Sequence, residues 1–539
     1  MDYLYSLTVA LFLTIALIPV MIRLAAPMGL TDDPGAERKV HSEVMPRTGG
    51  LGIIIGVLLP LLFLLPMDGY FPHLFIGCGI IIVFGLLDDR LELSYKWKLF
   101  GQALAAVVVM SGGIVLHEFP FLGLSEAPLW LTYPVTFLFL VGVVNGVNFS
   151  DGLDGLAAGT SMMALLLIFA LALQSGNDGI ALVSLTLVGG TLGFLRYNTF
   201  PANVFMGDAG SQFLGFVIAC LAIAVTQGDL SPYSVFLPVL ILGIPIMDIL
   251  QVVPVRQYKK LPLPGPDKEH FHHQLGKLGF RHTQVVATIY VLQGVLLAGA
   301  YLLRYESDWL VSLFYANFVV LVLGCLLIAN YRGWTVIHKD EVFTEITDRR
   351  NQLLRRFSWY YLHSVTLIAA LLGAFFVGSG LFLADARSTW TLPLIVLLVS
   401  MVSGLMLLFS PARAMICRVV LYSASVFIGY FWVNSDPESQ HEYVLWGFLS
   451  LLVVCLVLAI RMTRKKEFSL TTQDLLILIV LVLVPLLPGN WIGEYEVGRM
   501  ALIVAVLMYS SEYVLNRAKS MTVVASVCAA VGLSLLLNI

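Results

Sequence analysis

Apolar runs of about 20 residues follow one another along almost the whole chain, and short polar segments separate them. A helix of that length crosses the roughly 30 Å hydrocarbon core of a bilayer. Hydropathy distinguishes about 18 such runs, about 11 before residue 331 and about 7 after residue 357. The pattern predicts an all-α fold, a polytopic bundle of transmembrane helices.

The composition supports this prediction. Hydrophobic residues make up 59% of the 539 residues and charged residues only 12%, with a mean hydropathy of +0.89. In a soluble domain about a quarter of the residues are charged. The six cysteines lie in or beside apolar runs without a CxxC pair, so we expect neither a disulfide framework nor a thiolate metal site. The first residues lack the basic segment of a cleavable signal peptide, which predicts that the first apolar run is kept as a helix.

The distribution of positive charge predicts the topology. Lysine and arginine concentrate in the cytoplasmic loops of multi-pass membrane proteins. With an extracytoplasmic N-terminus, 28 of the 31 lysines and arginines fall on the cytoplasmic side, and the exceptions are Arg304, Arg387 and Arg499. The charge pattern therefore favours this orientation.

Four short polar clusters carry carboxylates or histidines and all fall on the predicted cytoplasmic side. Ionisable groups in or beside a bilayer are costly, so their presence is a functional hypothesis by default. A fifth segment on the same side contributes Lys39 and His41. Together these segments can form one site at the inner membrane surface. The four clusters are Asp88-Asp89, residues 148–155, residues 203–208 and residues 267–273.

The acidic clusters also have purely structural interpretations. Asp88 and Asp89 end an apolar run, where exposed carboxylates are common, yet two adjacent acids beside an apolar wall repel each other and can share a cation. Asp151 and Asp154 are suited to cap the helix that follows. The glycines after them, however, let the backbone approach a ligand, and helix N-termini attract phosphate. Asn148 adds an amide that can bind a base or a ribose edge.

Asp208 and the histidines favour a phosphate-bearing ligand. A divalent ion bound by one or two carboxylates and by substrate phosphates needs an acid such as Asp208. His270, His272 and His273 lie in a basic loop without a nearby cysteine, which suits a phosphorylated anion better than zinc. A basic loop at the membrane surface is the alternative. Asp248, near the cytoplasmic end of an apolar run, can pair with a cation or position the site.

The motifs resemble those of the polyprenyl-phosphate N-acetylhexosamine-1-phosphate transferases, of the glycosyltransferase family 4 type. The resemblance covers residues 1 to about 330 and consists of six motifs in the family's order. In this sequence they are Arg38-Lys-Val-His41 with Pro46-Arg-Thr-Gly-Gly50, Asp88-Asp89 with Lys98-Leu-Phe-Gly-Gln102, Asn145-Gly-Val-Asn148-Phe-Ser-Asp151-Gly-Leu-Asp154-Gly, Asn198-Thr-Phe-Pro-Ala-Asn-Val-Phe205-Met-Gly-Asp208, Pro245-Ile-Met-Asp248 and Asp267-Lys-Glu-His270-Phe-His272-His273.

The resemblance implies a Mg²⁺-dependent transfer of a sugar-1-phosphate, with Mn²⁺ as the alternative ion. A UDP-N-acetylhexosamine would give its sugar-1-phosphate to undecaprenyl phosphate and release UMP, which initiates cell-envelope polysaccharide synthesis such as that of O-antigen. The site would face the cytoplasm from the bacterial inner membrane, surrounded by membrane lipid. A homodimer is a further expectation, and nucleic acid is not an expected partner.

The resemblance also assigns roles to the candidate residues. Asp208 is similar to the family's Mg²⁺ ligand, and Asp88 would orient or deprotonate the lipid phosphate. The implied catalytic group consists of Asp88, Asp89, Lys98, His272 and His273. Phe205 is a candidate for stacking on uracil, in a substrate-binding group that consists of Lys39, His41, Asn148, Asp151, Asp154, Asn198, Phe205, Asp248 and His270.

Other interpretations concern the sugar and the class of protein. GlcNAc is the expected sugar, but the family's paired arginines after Asp248 appear here as Arg256-Gln257. N-acetylfucosamine, N-acetylquinovosamine and MurNAc-pentapeptide are the alternatives. A transporter or lipid flippase is a different class, which predicts acids near mid-bilayer and internal repeats. Here the acids lie at the ends of the apolar runs.

The predicted organisation has three parts. A membrane-embedded transferase core covers residues 1–330, an amphipathic cytoplasmic linker covers 331–357, and a transmembrane extension covers 358–539. The charged linker is typical of a helix that lies in the membrane interface. No motif in the extension assigns it an activity.

Overall fold

The computed structural model describes residues 2–32, 44–119, 127–228, 231–258, 260, 270–336, 358–383, 441–462 and 497–517, with single residues between 417 and 432 and residues 528 and 529. The described residues up to Val336 form one compact unit, and those from Ser358 onward form a second. Helices make up most of the described residues in both units.

The described part of the first unit contains thirteen helices. In chain order they are α1 (Asp2–Met28), α2 (Gly49–Leu64), α3 (Phe71–Leu91), α4 (Tyr95–Ser111), α5 (Leu129–Ser150), α6 (Leu156–Gln174), α7 (Asp178–Asn198), α8 (Gly207–Thr226), α9 (Leu237–Ile241), α10 (Gly243–Tyr258), α11 (Phe271–Lys277), α12 (His282–Leu302) and α13 (Asp308–Tyr331).

The helices confirm a polytopic helical membrane protein. Eight helices among the described residues are long and apolar enough to cross a membrane. Several continue beyond their apolar runs into the polar clusters: α3 ends after Asp88 and Asp89, and α8 begins at Gly207. The predicted site residues therefore lie largely on helix ends, where the backbone is fixed.

Parts of the sequence prediction lie outside the described residues. They include residues 337–357 of the linker and, in the predicted transmembrane extension, residues 384–416, 463–496 and 518–527. Within the described ranges, the all-α prediction missed one short antiparallel sheet. Its strands are β1 (Thr31–Asp32) and β2 (Met45–Pro46).

Helix α8 lies at the centre of the first unit. Nearly all of its residues are buried, and it packs against α2, α3, α5 and α6. Glycine permits the closest approach: a Cβ on Gly50 would lie 2.4 Å from the Cα of Gly210, and a Cβ on Gly85 would lie 2.4 Å from the Cα of Ala209. Small residues bring helix backbones together in membranes, where packing rather than water drives association. The first turn of α8 is thus held tightly by α2 and α3.

The described part of the second unit includes the helices Ser358–Leu383, His441–Met462 and Val497–Arg517. These helices share an apolar core. The Ser364 and Tyr513 hydroxyls lie 2.9 Å apart inside it, and the Trp432 indole N–H donates to the Ser379 hydroxyl at 2.8 Å. Buried polar side chains generally need such hydrogen-bond partners. These two contacts are therefore explained by packing, and they do not indicate a catalytic or binding site in this unit.

Candidate active site

The ends of α3, α4 and α8 bring three charged side chains together. The Lys98 ammonium forms ion pairs with Asp88 Oδ2 and, at 3.7 Å, with Asp208 Oδ2. Asp88 Oδ1 accepts a hydrogen bond from the Leu93 N–H at 2.9 Å. Asp88 is buried, whereas Lys98 and Asp208 are partly exposed. We call Asp88, Lys98 and Asp208 the charged group; its lysine and one carboxylate remain accessible to a ligand.

The last turn of α5 adds an amide to the charged group. Asn148 Nδ2 donates to Asp208 Oδ1 at 2.6 Å. One oxygen of Asp208 is therefore held by Asn148, and the other faces Lys98. The sequence predicted that Asn148 binds the nucleotide; in the structure its N–H group orients the predicted metal ligand.

Asp89 holds the backbone at the start of α8. Its Oδ1 accepts from the Asp208 N–H at 2.8 Å, and its Oδ2 accepts from the Ala209 N–H at 3.0 Å. The first N–H groups of a helix have no partner within the helix, so a carboxylate there is stabilising. Gly207 has a positive φ of 76°, and a Cβ on it would lie 2.8 Å from Asp89 Oδ2. Glycine is thus required for this contact.

The turn between α5 and α6 is tied to the loop before α8. Asp154 Oδ2 accepts from the Ala202 N–H at 3.0 Å. Asn198 Oδ1 accepts from the Gly155 N–H at 2.9 Å, and Asn198 Nδ2 donates to the Val204 carbonyl at 2.9 Å. Both side chains are buried. In the structure, these two predicted substrate ligands hold the loops that surround the charged group.

Asp151 lies in the same turn and is partly buried. Burial, and then the negative charges of Asp208 and Asp89, raise the pKa of the Asp151 carboxyl well above its usual value. Asp151 therefore lies close enough to Asp208 and Asp89 for their negative charges to disfavour a third carboxylate.

Asp248 holds in place residues 270–273, which we call the histidine segment. Its Oδ2 lies 2.6 Å from His270 Nδ1, and its Oδ1 accepts from the Phe271 N–H at 2.7 Å. The carboxylate therefore holds the first residues of α11 and orients His270. The His270 ring also packs against Phe149, with 4.8 Å between the ring centroids. This contact joins the histidine segment to α5.

His272 directs a nitrogen toward the turn that contains Asp151. The residue is 6% exposed, and its Nε2 has no hydrogen-bond partner among the described residues. A Cβ on Gly152 would lie 3.0 Å from this nitrogen, so glycine keeps the intervening space open. Burial, and then His273, lower the pKa of His272 to about 3. The ring is therefore neutral near pH 7, and it can exchange a hydrogen bond with a ligand but does not neutralise its charge.

Backbone hydrogen bonds join β2 to the loop before α8. The Phe205 N–H donates to the Pro46 carbonyl at 2.8 Å, and the Gly49 N–H donates to the Phe205 carbonyl at 2.9 Å. The Gly50 N–H donates to the Met206 carbonyl at 2.8 Å. They fix the backbone of Phe205, whose side chain is half-buried.

One residue of this region was missed by the sequence prediction. His282 begins α12, stacks on Phe200 with 4.4 Å between ring centroids, and places Nε2 3.2 Å from the Asp154 backbone nitrogen. A single histidine at a helix start forms no motif, so the sequence offered no signal.

The predicted substrate ligands Lys39 and His41 lie outside the described residues.

The charged group suits a metal ion that takes few protein ligands. In the described ranges, no group of three or more His, Cys, Asp or Glu side chains is placed to hold a metal. Mg²⁺ commonly binds one or two carboxylates and completes its shell with water and phosphate oxygens. Asp208 fits this mode because it is partly exposed. Asp89 fits it less well, since both of its oxygens already accept backbone hydrogen bonds.

Acids, a lysine and histidines at the ends of membrane helices are the groups expected in a membrane-embedded enzyme that handles phosphate groups at the bilayer surface. Comparison with known proteins agrees with this class. The model of the family described as Glycosyl transferase family 4 matches residues 71–226. This range contains all three residues of the charged group.

The relatives identify the family. A Bacillus subtilis protein named "Probable undecaprenyl-phosphate N-acetylglucosaminyl 1-phosphate transferase" is 38% identical, over 63% of this chain and 95% of its own length. A decaprenyl-phosphate N-acetylglucosaminephosphotransferase of Mycobacterium tuberculosis is 33% identical, over 55% of this chain and 81% of its own. An undecaprenyl-phosphate alpha-N-acetylglucosaminyl 1-phosphate transferase of Escherichia coli is 29% identical, over 58% of this chain and 87% of its own length. The chain belongs to the polyprenyl-phosphate N-acetylhexosamine-1-phosphate transferase family.

Proposed function

We propose that this chain transfers N-acetylglucosamine-1-phosphate from UDP-N-acetylglucosamine to undecaprenyl phosphate and releases UMP. The names of the relatives support the sugar phosphate and the polyprenyl acceptor. The structural observation that carries the proposal is the position of Lys98 between Asp88 and Asp208 at the ends of membrane helices. A lipid head group and a nucleotide from the aqueous phase can meet at such a place.

The reaction makes one bond to phosphorus and breaks another. An oxygen of the lipid phosphate attacks the phosphorus next to the sugar, and the bond from that phosphorus to the UMP oxygen breaks. A phosphate monoester has a second pKa of about 6, so most of the acceptor is dianionic at neutral pH and needs no strong base. Asp88 would accordingly orient Lys98 and the acceptor phosphate, and Lys98 would neutralise phosphate oxygens.

Asp208 would hold Mg²⁺, or Mn²⁺ as the alternative, together with phosphate oxygens of the substrates. When bound, the ion supplies positive charge against the charge that develops on the diphosphate. Asn148 keeps one oxygen of Asp208 in a fixed direction, and Asp89 keeps its backbone in place. The direction of this carboxylate is therefore fixed by the protein itself.

The turn at residues 151–155 and the histidine segment would bind the UDP-sugar. Asp151 and the neutral His272 offer hydrogen bonds to sugar or nucleotide groups. Phe205 would stack on uracil. Lys39, His41, His270 and His273 complete the proposed binding group.

We also propose about 18 spans, an extracytoplasmic N-terminus and a site on the cytoplasmic side of the bacterial inner membrane. The alternation of the helices supports a single face for the site. α3, α5 and α7 end near it, whereas α4, α6 and α8 begin near it. The distribution of lysine and arginine supports the cytoplasmic assignment of this face.

Purified full-length protein tests the proposal directly. It is incubated in detergent with UDP-N-acetylglucosamine, undecaprenyl phosphate and MgCl₂, and UMP release is measured for the native chain, Asp208→Ala and Asp178→Ala. Asp178 is the matched control because it begins α7 at the end remote from the charged group and accepts a hydrogen bond from the Tyr3 hydroxyl at 2.6 Å.

We expect UMP release from the native chain and from Asp178→Ala, and a loss of at least a hundredfold for Asp208→Ala. Absence of release from the native chain with every UDP-N-acetylhexosamine tried would overturn the proposed function. Native activity in Asp208→Ala would overturn the metal assignment alone. Omission of the divalent ion, with EDTA present, tests its requirement separately.

A further inference from the structure

Three amide side chains, two of them buried and that of Asn145 partly buried, form a hydrogen-bonded set beside the charged group. Asn145 Nδ2 donates to Gln102 Oε1 at 2.8 Å, and Gln102 Nε2 donates back to Asn145 Oδ1 at 3.4 Å. Gln102 Nε2 also donates to Gln212 Oε1 at 3.1 Å. Asn145 Nδ2 is anchored to its own helix at the Val141 carbonyl, 2.8 Å away. We call Gln102, Asn145 and Gln212 the amide triad.

The amide triad connects the three helices that carry Lys98, Asn148 and Asp208. One member lies on each of α4, α5 and α8. Residues three or four positions apart lie on the same helix face, with about 5–6 Å between their Cβ atoms. Each member therefore lies one turn further into the bundle than a site residue of its own helix. The pairs are Lys98–Gln102, Asn145–Asn148 and Asp208–Gln212.

Stability alone does not explain three amides at this position. A buried amide is costly unless it is hydrogen-bonded, and the net gain from each bond is only about 1 kcal/mol. Apolar side chains can fill the same volume without this cost. Hydrogen bonds differ from apolar contacts in that they weaken when the donor and acceptor shift by a few tenths of an ångström. A buried polar contact can thereby fix the register of packed helices.

We propose that the amide triad sets the axial register of α4, α5 and α8, so that Lys98 and Asn148 reach Asp208. Its members are positioning residues, since none of them belongs to the charged group that would meet the substrates. A slide of one residue along a helix axis, about 1.5 Å, exceeds the tolerance of the 2.6 Å bond between Asn148 and Asp208. The inference rests on the proposed transferase function.

Near-isosteric variants of the full-length protein test this role. Gln102→Met and Gln212→Met remove the amide and keep an unbranched side chain of similar size. Gln293→Met is the matched control: Gln293 is 1% exposed, donates to the Ile241 carbonyl at 2.9 Å, and lies on α12. Three quantities are measured: the thermal midpoint without ligand, the rise in that midpoint with Mg²⁺ and UDP, and kcat and KM for UMP release.

We expect a loss of kcat of about 10- to 100-fold in both triad variants, the range found when residues that support a metal site are replaced. The rise in the midpoint with Mg²⁺ and UDP should fall, while the midpoint without ligand stays within a few degrees of that of Gln293→Met. Equal kcat and an equal ligand-induced rise in the triad variants and the control would overturn the proposal. If the native protein is inactive, the proposed function fails instead, so the two failures are distinguishable.

A conservative variant, Gln212→Asn, distinguishes an effect of helix register from an effect of losing a polar group. It also takes the place of Gln212→Met if the Gln212→Met protein does not fold. Gln212→Asn keeps an amide but shortens its reach by one methylene. If the triad acts by register, Gln212→Asn has reduced kcat and a reduced ligand-induced rise in the midpoint. Native values for both quantities would show that any buried amide is sufficient and would overturn the proposal.

Discussion

Asp89 binds the backbone of Asp208, the proposed metal ligand: its Oδ1 accepts from the Asp208 N–H at 2.8 Å. Its second oxygen accepts from the Ala209 N–H at 3.0 Å. The neighbouring Asp88 instead pairs with the Lys98 side chain. Two adjacent acids of one motif thus have different structural tasks, because successive residues at a helix end point in different directions.

Asp89→Asn should lower both stability and activity. The amide keeps one acceptor but places an N–H group opposite a backbone N–H, so a buried donor loses its partner. Such a loss costs about 1–3 kcal/mol. We expect a lower thermal midpoint and at least a tenfold loss of UMP release, with Asp178→Asn as the control. Lost activity at an unchanged midpoint would instead indicate that Asp89 contacts the substrate or the ion directly.

Lys98→Met should abolish most of the activity. It leaves the carboxylates of Asp88 and Asp208 without the cation between them and removes the positive charge that would meet the phosphates. We expect a loss of kcat of at least a hundredfold, measured as UMP release. The control is Lys96→Met, two residues earlier on the exposed surface of α4. Similar losses in the two variants would contradict a specific role for Lys98.

Asn198→Asp should destabilise the loops around the site. The carboxylate preserves the acceptor for the Gly155 N–H but presents an oxygen to the Val204 carbonyl, to which the amide donates in the native chain. A buried mismatch of this kind costs about 1–3 kcal/mol. We expect a lower thermal midpoint in detergent.

Asn177→Asp is the matched control for this substitution. Asn177 accepts a hydrogen bond from the Ile180 N–H at 3.1 Å at the start of α7, where a carboxylate is also favourable. Its thermal midpoint should stay the same or rise. An unchanged midpoint for Asn198→Asp would show that Asn198 is free to turn toward a ligand.

His272 should make the protein less stable as the pH falls. Its pKa is lowered to about 3, whereas an unfolded histidine has a pKa of about 6.5. Below pH 6.5 the unfolded chain therefore takes up a proton that the folded chain does not, so stability falls with pH until about pH 3. Between pH 7 and pH 5, the free energy of unfolding decreases by about 2 kcal/mol for this reason.

His272→Gln should reduce this pH dependence. We expect a smaller decrease of the thermal midpoint from pH 7 to pH 5 than in the native chain. His117→Gln, at an exposed position, should behave like the native chain. If the thermal midpoint of His272→Gln decreases as much as that of the native chain, the His272 ring is not kept neutral by burial.

The positions of the polar clusters were predictable from the sequence, but the hydrogen-bond and ion-pair partners of their side chains were not. Apolar runs placed Asp88, Asn148 and Asp208 at span ends, where the structure has them. The sequence could not show that Asn198 uses its amide on two backbone groups 43 and 6 residues away. Such hydrogen bonds join segments that are distant in the chain, and no local pattern encodes them. His282, a lone histidine, was missed for the same reason.

The sequence by itself determined the class of the protein, its helical membrane fold and the segments that carry polar chemistry. Bilayer thickness fixes the length of an apolar run, and the cost of burying ionisable groups makes such groups informative. The tertiary structure decided which side chains meet, namely Lys98 with Asp88 and Asp208, and Asp89 with the backbone of α8. These contacts depend on the rotation and axial register of packed helices, which arise only when all of them are assembled.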